Sequence, residues 1–120
     1  MRSRSSPSVK VFSPPYSREE VIELLRLRLP SLNKHLPLQR AVLFGSYARG
    51  NYTAFSDIDL LVVYAGPPRE NAFALTVKTL ALRGLQPHVL SEEEFQRVEG
   101  VWKRMLEGGV DLWPAAIMGG

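Results

Sequence analysis

The sequence predicts an α/β domain of the α+β kind, a small mixed β-sheet with helices packed against it. Three observations carry this. Apolar residues recur at helical spacing in some stretches and form short strand-like blocks in others, and the two patterns alternate without an internal repeat. Two helix starts are written as capping boxes, Ser17-Arg18-Glu19-Glu20 and Ser91-Glu92-Glu93-Glu94, where a Ser hydroxyl and a Glu three residues on satisfy free helix amides. A chain of 120 residues can build one core without a metal or disulfide staple.

Each element has its own local reason. Residues 1–16 are rich in Ser, Pro and basic side chains, and are expected to be a flexible basic segment ahead of a domain over 17–113, with 114–120 as a tail. Behind the first capping box, Val21, Ile22, Leu24, Leu25, Leu27 and Leu29 form an apolar helical stripe. Pro30 lacks an N–H and is expected to end or kink that helix. A turn rich in Asn, Lys and Pro leads to a strand over 39–44. Residues 45–50 read as a turn and short helix, and 51–55 as a loop. Asp57 to Tyr64 is the second strand, almost continuously apolar after Asp59 and so buried on both faces. Gly66-Pro67-Pro68 breaks the chain. A third helix is expected over 72–82, with Phe73, Val77 and Leu80 as its apolar positions, ending near Gly84. Residues 86–90 form a short strand candidate. The last helix runs from the second capping box through Leu106, Gly108-Gly109 stops it, and 110–113 adds a short extended piece.

Composition removes several function classes. There is no cysteine, which excludes disulfides, zinc–thiolate sites and thiol catalysis and suits a reducing cytoplasm. The longest apolar run, Leu60 to Ala65, is far too short to span a bilayer, and the N-terminus lacks the apolar core of a signal peptide. The formal net charge is +3, yet Arg2, Arg4, Lys10 and Arg18 place +4 in the first 18 residues, which contain no acid, and leave −1 for the rest. The body therefore lacks the basic stripe of a nucleic-acid module, and nucleic acid is not the expected partner.

The chemistry concentrates at 44–64, FGSYARGNYTAFSDIDLLVVY. Alternation along a strand puts Asp57 and Asp59 on one face and Ile58 and Leu60 on the other. At about 6–7 Å, two carboxylates repel by roughly 2–3 kcal/mol at an effective dielectric of 20. A hard divalent cation, Mg²⁺ or Mn²⁺, is the natural counter-ion; a partly solvated strand start is the other reading. Upstream, Gly45-Ser46 follows an apolar strand. Glycine allows a sharp backbone bend and close approach to a ligand, and Ser46 opens a short helix whose free amides can receive an anion. Arg49 adds a cation and Gly50 can end the turn; an ordinary strand-to-helix turn with a surface arginine is the plainer alternative. No Walker loop occurs in the chain. A phosphate cradle facing a dicarboxylate site is the equipment of metal-assisted phosphoryl or nucleotidyl transfer.

Gly45-Ser46-Tyr47-Ala48-Arg49-Gly50, followed by Ser56-Asp57-Ile58-Asp59-Leu60, closely resembles the G-S-x-A-R-G … S-D-I-D-L signature of the minimal nucleotidyltransferases of the DNA polymerase beta-like superfamily. The resemblance implies the nucleotidyltransferase fold. It also implies transfer of NMP from an NTP, with ATP expected, to a hydroxyl with Mg²⁺ or Mn²⁺ as cofactor. Asp57 and Asp59 would be the catalytic metal ligands, and Gly45 and Ser46 would hold phosphate with help from Arg49. A small helical HEPN-type partner protein in a toxin–antitoxin pair is implied as well, some family members nucleotidylylating that partner on tyrosine.

The chain departs from the signature at one point. Catalytic members of the superfamily carry a third carboxylate on a later strand, whereas Gln86-Pro87-His88-Val89-Leu90 has none, and Gln86 or His88 takes that place. This keeps a second expectation alive, an antitoxin-like binding subunit that retains the fold and turns over weakly or not at all. Glu92 to Glu94 read as an acidic first helical turn, and Asp111 has no sequence-based placement. Trp102 and Trp113 are expected in the core or at a docking patch. A third reading has the basic N-terminal segment touch RNA or DNA.

Overall fold

The computed structural model describes residues 16–114; the expectations for the basic segment over 1–15 and for residues 115–120 lie outside it. Eight elements follow in the order α1 (Arg18–His35), β1 (Leu38–Phe44), α2 (Gly45–Arg49), β2 (Ile58–Tyr64), α3 (Ala72–Leu80), β3 (Leu85–Ser91), α4 (Glu92–Met105) and β4 (Val110–Trp113). The four strands form one mixed sheet in the order β3-β2-β1-β4. β1 pairs antiparallel with both β2 and β4, while β2 and β3 are parallel.

The sheet has one large buried face and one smaller one. Ala41, Leu43, Ile58, Leu60, Val62 and Tyr64 point into the main core, closed by Val21, Leu25, Leu29 and Leu32 of α1 and by Ala72 and Leu80 of α3. Phe44, Leu61 and Val63 point the other way and are covered by α4 through Trp102, Phe95 and Leu106. Trp102 is therefore core. Trp113 is half-buried, and its indole N–H donates to the Leu38 carbonyl at 3.3 Å.

Both capping boxes form. The Ser17 hydroxyl accepts from the Glu20 amide at 3.1 Å while the Glu20 carboxylate accepts from the Ser17 amide at 2.8 Å. Ser91 and Glu94 repeat the pair at 3.1 and 2.8 Å, with Glu92, Glu93 and Glu94 in the first turn of α4.

Two expectations are corrected. The first helix runs through Pro30 to His35. Proline removes one amide donor there, but Leu29 on one side and Leu32 and Leu36 on the other are all fully buried, so helix continuation is held by core packing while Pro30 itself faces solvent. In α3 the buried positions are Ala72, Thr76 and Leu80, whereas Phe73 and Val77 are exposed, and the helix stops at Leu80. The Thr76 hydroxyl is accommodated by donating to the Ala72 carbonyl at 2.9 Å. The early stop has a partner in α1: Arg28 donates to the free carbonyls of Leu80 and Ala81 at 2.7 and 3.2 Å.

Candidate active site

The site forms where β1 ends and β2 begins. Phe44 is the register partner of Asp59, so the chain leaving β1 at Gly45 turns directly beside the Asp59 side chain. Gly45 has φ +76°, and a Cβ on it would run into the Asp59 carboxylate. Glycine is needed there twice over, for the left-handed backbone and for the space. Gly50 closes α2 with φ +84° and donates its amide to the Ser46 carbonyl at 2.9 Å.

Asp59 shares its face of β2 with Leu61 and Val63, the α4 side, while Ile58 and Leu60 enter the main core. Asp57 lies one residue ahead of the strand and is exposed; Asp59 is half-buried. The loop between them and α2 is ordered by its own short side chains. The Ser56 hydroxyl accepts from the Thr53 amide at 2.8 Å, and the Thr53 hydroxyl accepts from the Phe55 amide at 3.2 Å.

Burial pushes the Asp59 carboxyl above the usual carboxylate range; nearby His88 pulls it back, Asp57 raises it further, and Arg49 lowers it. Its carboxylate makes no hydrogen bond or ion pair among the described residues. A half-buried, unpartnered acid beside a second acid is a receptive place for a cation. No group of three His, Asp or Glu side chains is gathered as a ready-made cation site among the described residues. The donor set nonetheless fits Mg²⁺, which keeps several waters and completes its shell from substrate phosphates rather than from an all-protein cage.

Parallel pairing sets Asp59 opposite Gln86 and Leu61 opposite His88, so Gln86 and His88 lie on the Asp59 face. His88 is exposed, its ring 5.6 Å from Phe44 and 5.3 Å from Trp102, edge-on to the indole. No carboxylate accompanies them on β3. Asp111 is on β4, at the opposite edge of the sheet, where it pairs with Arg40 at 3.7 Å. Arg49 ends α2 and is exposed.

Sequence reasoning missed what stands behind α2. Tyr47 is buried and stacks on Tyr52 with ring centroids 4.2 Å apart and planes within 8°. The Tyr47 hydroxyl donates to the Tyr16 carbonyl at 3.0 Å, and burial raises its pKa above the usual phenol value, so it remains a donor. Arg18, the first residue of α1, donates its amide to the Tyr52 hydroxyl and its Nε–H to the Ala48 carbonyl, both at 3.0 Å. No periodicity marks these pairs in the sequence.

The model of the nucleotidyltransferase domain family matches residues 22–119, taking in most of α1, the turn and both aspartates. The chain belongs to this family. A curated relative from Methanocaldococcus jannaschii, whose name provisionally assigns it as a protein adenylyltransferase, is 62% identical over 26 residues, covering 22% of this chain and 26% of the relative. The match thus spans about a quarter of that relative's length. Among solved structures, a nucleotidyltransferase-type protein from Sulfolobus solfataricus superposes with a TM-score of 0.53 at 23% identity, covering 94% of this chain and 92% of its own. A toxin–antitoxin structure with AMP-PNP gives 0.51 at 26% identity, covering 82% and 73%. The complex of a tri-AMPylated Shewanella oneidensis HEPN toxin with its MNT antitoxin gives 0.50 at 23%, covering 77% and 71%. The mixed four-stranded sheet with its helices is the nucleotidyltransferase fold.

Proposed function

We propose that this chain transfers NMP from an NTP, ATP in the first instance, to a hydroxyl on a partner protein, with Mg²⁺ or Mn²⁺ as cofactor. The observation that carries the proposal is the Asp59 carboxylate, half-buried, without a hydrogen-bond or ion-pair partner among the described residues, and pressed against the Gly45 turn. Such a group is costly in the folded state unless a cation completes it.

In this reading Asp57 and Asp59 hold the metal, which when bound neutralises charge on the triphosphate and aligns attacking and leaving oxygens. The Gly45-Ser46 backbone and the Ser46 hydroxyl hold the phosphates beside Asp59, whose carboxylate fills the space that a Cβ on Gly45 would take. Arg49 lends positive charge at the open rim, where it already acts on Asp59. The acceptor oxygen bonds to the α-phosphorus, the bond to pyrophosphate breaks, and the hydroxyl proton leaves to a base or to solvent. HEPN-type proteins are the proposed partner class, on the resemblance of the motif and the likeness in fold to toxin–antitoxin structures.

A second reading rests on one observation: β3 presents Gln86 and His88 to this face, with no carboxylate. It makes the chain a nucleotide-binding antitoxin subunit with little turnover. One experiment separates the two. The purified protein is incubated with α-labelled ATP, Mg²⁺ and the protein encoded beside it, alongside a variant carrying Asp57→Asn and Asp59→Asn. Label on the partner, lost in the variant, supports transfer. Tight partner binding without label, unaffected by the substitutions, sides with the binding subunit.

A further inference from the structure

We propose that Arg18, Tyr47 and Tyr52 are positioning residues for nucleotide binding, bracing the Gly45–Gly50 turn from behind without touching the nucleotide. The inference deepens the reading above and rests on it.

The turn cannot hold its own shape. α2 is five residues long, too short to be stable as an isolated helix, and its ends are Gly45 and Gly50, both in the left-handed region. Glycines at both ends widen the range of backbone states open to the segment in the absence of outside contacts. Its geometry must therefore come from the surrounding structure.

The start of α1 supplies that geometry by an exchange of free helix ends. The Arg18 amide is one of the amides at the start of α1 that no helical carbonyl can satisfy, and it donates to the Tyr52 hydroxyl at 3.0 Å. The Ala48 carbonyl is one of the last in α2 and likewise lacks a helical donor; it accepts from Arg18 Nε at 3.0 Å. One residue thus binds the turn at its helical end and at the loop beyond it. The Tyr47 ring, stacked at 4.2 Å on Tyr52, closes the circuit, and its hydroxyl is bonded to the Tyr16 carbonyl just ahead of α1. Losing any link frees the turn to sample conformations in which the backbone no longer faces Asp59. Such sampling lowers affinity in proportion to the fraction of competent molecules.

The test uses Tyr52→Phe, which keeps the stacked ring and removes the hydroxyl, and Arg18→Ala. Ser91→Ala is the control; it removes the α4 cap at the end of β3 away from Gln86. Affinity for Mg²⁺·AMP-PNP is measured by calorimetry, and amide hydrogen exchange is followed without ligand. Tyr52→Phe and Arg18→Ala should bind roughly 3- to 10-fold more weakly, as expected for one lost hydrogen bond. The Gly50 and Asn51 amides, which donate to the Ser46 carbonyl at 2.9 and 3.2 Å, should exchange faster in both. Ser91→Ala should lose melting temperature with affinity and Gly50 exchange unchanged. Wild-type binding with Tyr52→Phe equal to it in affinity and exchange overturns the bracing role alone. A wild-type protein that binds no nucleotide overturns the functional reading, and this inference with it.

Discussion

Replacing Asp59 by Asn should make the unliganded protein more stable and the nucleotide-bound protein less so. The Asp59 carboxyl is half-buried, lacks a partner among the described residues, and has a pKa raised first by burial. Its repulsion with Asp57, at about 6–7 Å, is roughly 2.5 kcal/mol at an effective dielectric of 20 and about 0.6 kcal/mol at that of water. Asp57 is exposed, so solvent screening favours the lower part of that range, and the attraction of His88 and Arg49 for Asp59 offsets it. The gain therefore comes from relieving the burial of the charge, about 1 kcal/mol. For a domain of this size that is a rise of about 4 °C in melting temperature. The pH dependence follows from the direction of the shift. A carboxyl whose folded pKa lies above its unfolded value costs stability fully above the folded pKa, and that cost disappears as pH falls below the unfolded one. The gain from Asp59→Asn should therefore be complete at pH 8 and shrink toward pH 4. Scanning calorimetry across that range, with and without Mg²⁺·AMP-PNP, reads both effects. Saturating ligand should raise the wild-type melting temperature and leave the variant nearly unmoved. A variant less stable than wild type at pH 8, or a gain that does not change with pH, would show that the Asp59 charge does not cost the fold stability.

Other outcomes are expected from single substitutions. Gly45→Ala forces a side chain into the left-handed region and against Asp59, and should cost about 1–3 kcal/mol of stability by denaturant titration while abolishing nucleotide binding. Pro30→Ala restores a backbone donor inside a helix that already continues, and should stabilise by about 1–3 kcal/mol in the same titration. Leu29→Ala empties a fully buried position and should cost about 2–5 kcal/mol. Gly109→Ala places a methyl against the Leu106 carbonyl and the Val42 side chain at 2.9 Å, and should lose about 1–3 kcal/mol by overpacking.

Much of the fold was legible because its signals are local. Capping boxes announce α1 and α4 through contacts within one turn, and the apolar run of β2 identifies a central strand. The alternation at Ile58-Asp59-Leu60 assigned faces correctly, since Ile58 and Leu60 do enter the main core and Asp59 does not. Signals that fail are those decided by neighbours. Pro30 is a local helix breaker overruled by Leu32 and Leu36, whose burial lies across the core from anything readable nearby. Phe73 and Val77 look like a buried stripe, yet the face of α3 that meets α1 carries Ala72, Thr76 and Leu80, small enough at two positions for close helix approach.

The same division runs through the site. The chemical inventory can be read from the residues alone: two acids at strand spacing, a glycine-serine turn before them, and no cysteine. Those features depend only on residue identity and short-range geometry. That a side chain at position 45 would collide with the Asp59 carboxylate emerges from folding, because the antiparallel register of β1 and β2 brings them together. Folding likewise decided that Gln86 and His88 share the Asp59 face, since parallel pairing across β2 and β3 aligns side chains far apart in the chain. And it tied the turn to Arg18 and Tyr52, whose bonds join residues 30 and 34 positions apart and leave no trace in any local pattern.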